Sequence, residues 1–77
     1  TAGFIRFIAP AAGRCEVRLY DATGNRVATL ANIQVEPGEN TLKLDFSNIR
    51  NGVYICELLI NSERIFVGRL IKTNTPD

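Results

Sequence analysis

Apolar residues fall at every second position in Cys15-Glu16-Val17-Arg18-Leu19-Tyr20. In an extended chain that period puts Cys15, Val17 and Leu19 on one face, with Glu16 and Arg18 on the other. The same alternation returns along the sequence. Phe4 to Ile8 turns Ile5 and Phe7 inward and Arg6 outward, before Pro10 and Gly13 end the run. Arg26 to Leu30 continues weakly through Ile33 and Val35, and Thr41 to Phe46 sets Leu42, Leu44 and Phe46 against Lys43 and Asp45. Val53 to Ile60 is the most apolar run; Glu57 within it directs Tyr54, Cys56, Leu58 and Ile60 to one side. Arg64 to Lys72 is the last.

Turn residues separate these runs at intervals of roughly eight to twelve residues, the spacing of an all-β sandwich or barrel rather than of a helical fold. Asp21 can accept from amides ahead of it and Gly24 permits the left-handed backbone that a tight reversal needs. Glu36-Pro37-Gly38-Glu39 is a second turn, Ser47 to Gly52 a loop, and Asn61-Ser62 a short hairpin corner. At 77 residues and 45% hydrophobic content the chain is one small domain with a modest core. These features predict an all-β fold, a small Ig-like antiparallel β-sandwich of six to seven strands, with a barrel as the alternative. Residues 1–72 form the domain, and Thr73 to Asp77, without apolar content, read as a flexible tail. The chain has no Met and begins inside what already reads as strand, so it is expected to be part of a longer precursor.

Nine Lys and Arg against eight Asp and Glu leave a net charge of +1. Charges spread this evenly give no footprint for nucleic acid or an anionic surface. With no His, a Ser or Cys nucleophile lacks its usual base, two Cys cannot make an ordinary zinc site, and no glycine loop leads from a strand into a helix. No catalytic, metal or cofactor site is expected. Cys15 and Cys56 both fall on inward faces, in the second and penultimate strands, the pair that Ig domains bridge between sheets. Either a disulfide or two buried thiols fits that placement.

Three stretches in order carry a family resemblance. "CEVRLYDATGNRVATL" resembles the V-x-L-x-Y-D-x-x-G-[RK]-x-V-x-x-L pattern of the C-terminal sorting domains of the type IX secretion system, which are similar in appearance to the Ig-like domain of flagellar hook-cap proteins. "EPGENTLKLDFSNIRNGVYICEL" looks like that family's P-G-x-[NH]-x-[IL] strand, short loop and G-[VI]-Y, and "RLIK" like its closing basic strand. The resemblance spans about residues 4 to 72. The chain departs from the pattern at Gly68, carries five residues past Lys72, and lacks an Asn-Pro element ahead of its first strand.

The resemblance implies a signal that takes an exported cargo, lying N-terminal in the same precursor, through the periplasm and an outer-membrane translocon to the cell surface or medium. It also implies removal by a sortase-like peptidase, with the cargo joined to the surface. Carried onto this sequence, Asp21 and Gly24 would shape the first hairpin, and Gly52 and Tyr54 the entrance of the penultimate strand. Arg69, Leu70, Ile71 and Lys72 would be read by the translocon. A non-catalytic Ig-like spacer or carbohydrate-binding module of a secreted enzyme is the competing function. Only Tyr20, Tyr54 and four core-like Phe could build a sugar platform. Short edge strands also leave room for a homodimer.

Overall fold

The alternating runs become six strands in the computed structural model, which describes residues 2–73. They are β1 (Ala2–Ala9), β2 (Gly13–Tyr20), β3 (Arg26–Val35), β4 (Gly38–Asp45), β5 (Gly52–Ile60) and β6 (Glu63–Lys72), and no helix occurs among the described residues. All pairings are antiparallel. One sheet has four strands in the order β3-β2-β5-β6, and the other has only β1 and β4. The chain is therefore a two-layer sandwich at the lower end of the expected strand number. It does not close into a barrel, because the two ladders share no strand.

Each sheet hides one face against the other. The larger contributes Val17, Leu19, Tyr54, Cys56, Leu58 and Ile60, the smaller Ala9, Leu42 and Leu44, and all join one core. Leu19, Leu58, Val17 and Cys15 are wholly buried. One departure from strict alternation is caused by bulges. Register shifts between Val17 and Arg18, between Leu19 and Tyr20, and between Leu58 and Leu59 insert bulges. A bulge turns two successive side chains toward one side. The weak alternation of Arg26 to Val35 is thus one continuous strand with extra residues at Val27 and Leu30; β5 itself keeps its period, since Leu59 pairs with Glu16 on the outer face and lies outside the core although buried.

Register also sorts the ends of the strands. Ala2 lies opposite Asp45, Tyr20 opposite Ile55, and Lys72 opposite Gly52. The start of β1, the end of β6, the β2–β3 turn and the β4–β5 loop therefore share one pole. At the other pole Asn61 and Ser62 take φ of 53° and 68°, the left-handed pair of a two-residue hairpin turn. Asn61 also ties that turn to the β1–β2 connection. Its Oδ1 accepts from the Arg14 amide at 3.1 Å and its Nδ2 donates to the Ala12 carbonyl at 3.3 Å.

Two sequence expectations are corrected. Cys15 and Cys56 do not face each other across the sandwich, because β2 and β5 are neighbours in one sheet. Cys15 pairs with Ile60 and Cys56 with Leu19. The offset of four residues is about 13 Å along the strands, beyond the roughly 7 Å Cα limit of a disulfide. Both are free buried thiols, and burial raises the pKa of each, assisted at Cys15 by Glu16. We expect neither to react with a bulky aromatic disulfide reagent in the native chain at neutral pH, and both to react once the chain is unfolded. A native chain whose mass is two hydrogens short would reveal a bridge instead. Nor are all four phenylalanines core-like. Phe7 and Phe46 are half-buried against the core, Phe66 is 52% exposed because the two-stranded sheet is too narrow to cover the four-stranded one, and Phe4, 73% exposed, stands on the outer face of β1 opposite Lys43.

Candidate functional site

The β2–β3 corner is organised by one carboxylate. Oδ1 of Asp21 accepts from the Thr23 amide at 3.0 Å, the Thr23 hydroxyl at 2.7 Å and the Asn25 amide at 3.0 Å. The Asp21 carbonyl takes the Gly24 amide at 3.0 Å. Gly24 has φ of +90°, a conformation that a Cβ would make costly. These bonds, that from the Thr23 hydroxyl foremost, hold the Asp21 carboxyl below the usual carboxylate range; the bonds from Ser47 do the same for Asp45. A depressed folded pKa contributes stability above the unfolded value of about 3.9 that is lost as pH falls through the folded one. The midpoint of thermal unfolding should therefore fall as pH drops below about 4, and Asp21→Asn should flatten that fall. An unchanged acid profile in the variant would remove Asp21 from the account.

A second group of expected residues converges on the loop between β4 and β5. The Ile49 amide donates to the Phe46 carbonyl at 3.0 Å, closing a tight bend. From β5 the Tyr54 hydroxyl donates to the Arg50 carbonyl at 2.7 Å. From β6 the Lys72 ammonium donates to the Phe46 and Ile49 carbonyls at 2.6 and 2.5 Å. Gly52 is the first residue of β5 and its φ lies outside the left-handed region, so it does not adopt the turn conformation expected of it. A Cβ there would rest on the Tyr54 ring at 3.6 Å, ordinary contact.

The Arg69-Leu70-Ile71-Lys72 quartet divides by face. Leu70 packs against the core, and the Lys72 charge is turned onto the loop carbonyls. Arg69 and Ile71 stand on the outer face, opposite Ile55 and Val53. Val67 joins them there opposite Glu57, which is occupied by the Tyr20 hydroxyl at 2.8 Å and by Arg64 at 3.2 Å. Val53, Ile55, Val67 and Ile71 are all exposed. Sequence alternation did not single out this patch. Its signal is the near absence of polar residues on either face of β5, where Glu57 is the one charge.

On the inner side, the uncovered margin of the larger sheet leaves an apolar cleft of about 260 Å³ between β1 and β6, lined by Phe4, Phe46, Phe66 and Leu70 among others. Gly68 belongs to this wall. A Cβ at Gly68 would come within 2.7 Å of the Phe66 ring, so glycine allows that ring to lie flat over the backbone. The described residues contain no group of three or more His, Cys, Asp or Glu placed to hold a metal ion.

A family model for a secretion system C-terminal sorting domain matches residues 4–73. No curated protein and no solved structure matches the chain.

Proposed function

The chain belongs to the secretion system C-terminal sorting domains, and from that membership we propose that it carries a cargo through the type IX outer-membrane translocon by presenting β6 to the secretion machinery. Membership implies a cargo N-terminal to the domain in the same precursor, recognition by type IX machinery, and an outer-membrane or extracellular destination. The observation that carries the rest of the reading is the family match across nearly the whole described fold. It is supported by the division of the closing quartet, which leaves Arg69 and Ile71 outward. After passage from the periplasm, a sortase-like peptidase removes the domain and joins the cargo to the cell surface. Asp21, Gly24, Tyr54 and Lys72 act as braces of the pole from which β6 ends, not as contacts.

The test is a reporter with an export signal fused ahead of residues 1–77, expressed in a bacterium with a type IX system. The intact fusion should reach the surface or medium, and a fusion truncated after Gly68 should remain in the periplasm, as should the intact fusion in a host without the translocon. Retention of the intact fusion in the competent host would overturn the reading. The mass of the released reporter shows whether the domain has been removed.

A further inference from the structure

Strand β6 is open on three sides. Its edge away from β5 has no partner strand among the described residues. On the outer face Val67 and Ile71 lie bare beside Val53 and Ile55, and on the inner face Phe66 borders the cleft. Edge strands are ordinarily blunted by charge, and β6 has three cations in Arg64, Arg69 and Lys72. Two are already committed, Arg64 to Glu57 and Lys72 to the loop carbonyls. Arg69 makes no ion pair among the described residues. The opposite edge of the same sheet is more polar, since Thr29, Asn32 and Gln34 of β3 are exposed beside Val27 and Ile33.

We propose that β6 is a strand-addition site for an extended, acidic segment of a partner protein. Pairing with the free edge supplies main-chain hydrogen bonds, and alternate side chains of the added strand set specificity. On one face apolar side chains cover Val67 and Ile71 and a carboxylate meets Arg69. On the other, an apolar side chain enters the cleft beside Phe66. A second copy of this chain fits less well. Antiparallel self-pairing that keeps each face on its own side centres on Val67 or Gly68, which sets Ile65 or Val67 of the second copy, and no acid, opposite Arg69. Either way Arg69 of each copy is left without the acidic partner that a carboxylate-bearing strand would supply. The site rests on the sorting reading for its biological setting, but the binding chemistry can be measured without it.

The chain labelled with ¹⁵N is titrated with a capped heptapeptide of alternating Val and Asp, and with its Val and Lys counterpart. The acidic peptide should shift and protect β6 amides around Val67 to Ile71, and bind about tenfold or more tighter than the basic one, a preference that Arg69→Glu reverses. Shifts confined to β3 or to the smaller sheet, the absence of a charge preference, or no shift at millimolar peptide would overturn the proposal. A dimer in sedimentation that the β6 variants dissolve would overturn it in favour of self-pairing. In the export assay, Arg69→Glu and the double variant Val67→Thr/Ile71→Thr should each reduce export about tenfold or more, while Arg26→Glu on β3 should not. Each variant is first melted to establish that it folds, and Arg69→Gln replaces Arg69→Glu if the reversal is unstable. Full export of folded β6 variants sinks strand addition and leaves the sorting reading standing. Retention of the unaltered fusion alongside intact peptide binding does the reverse.

Discussion

Leu58→Ala lowers the unfolding midpoint by roughly 10–30 °C, the largest single effect expected in this chain. Leu58 is wholly buried, with Val17 opposite it on β2 and Phe66 on β6. Removing such a side chain costs about 2–5 kcal/mol, from lost transfer energy and from the cavity left behind. A chain of 77 residues has only about 4–12 kcal/mol in total, so the loss is a large share of the whole. Neighbouring strands on both sides limit the collapse that would heal the cavity. Thermal melts followed by circular dichroism check this, with the exposed Val27→Ala as the comparison that should move little. A shift at Leu58 no larger than at Val27 would mean that the core does not pass through β5.

Lys72→Met is the second large effect, and its cost is local. The half-buried ammonium serves two carbonyls of the β4–β5 loop. Methionine keeps the stem but leaves both carbonyls without their charged donor, a loss of about 1.5–3 kcal/mol for hydrogen bonds of this kind. The loop amide of Ile49 should exchange faster while the centre of β2 and β5 stays protected. Tyr54→Phe removes the third tie to the same loop, at about 1 kcal/mol. Because the two side chains brace one segment, the double variant should deviate from the sum of the singles. Strict additivity would mean that the two braces act independently. A truncation after Gly68 removes the Lys72 ties together with the exposed Arg69 and Ile71, so export by folded Lys72→Met distinguishes a brace from a contact.

Much of this architecture was legible in the period of two. Cys15, Val17, Leu19, Leu42, Leu44, Tyr54, Cys56, Leu58 and Ile60 are all buried as the alternation required, and Gly24 and Gly38 have the positive φ expected of their turns. What alternation cannot carry is the assignment of strands to sheets. Cys15 and Cys56 have the facing that an inter-sheet bridge needs, yet β2 and β5 are adjacent in one sheet, and that adjacency depends on pairings far apart in sequence. The width of each sheet was hidden for the same reason. Phe66 occupies an inward position of its strand, opposite Leu58, but only two strands lie across from four, so its ring is left at a margin. Bulges obscured β3, where two extra residues, Val27 and Leu30, upset the period. At the candidate site, the motif residues Gly52, Tyr54 and Lys72 gather at one pole, but the motif does not show how they divide there. Nothing local distinguishes Lys72, turned inward onto carbonyls, from Arg69, turned outward. The expected tail lies outside the described residues apart from Thr73, an exposed residue after β6.

The shared pole of Ala2 and Lys72 has a mechanical meaning. A pull applied between these two residues loads the sandwich at one end. The first rung to feel the load on β1 is Ala2 opposite Asp45, and on β6 it is Lys72 opposite Gly52. Rungs loaded from one end yield one after another, like a zipper, whereas strands drawn lengthwise in opposite directions share the load across every rung at once. Tension between the ends should thus peel β1 and β6 away in small steps. The ties from Lys72 to the Phe46 and Ile49 carbonyls sit at the teeth where that opening starts.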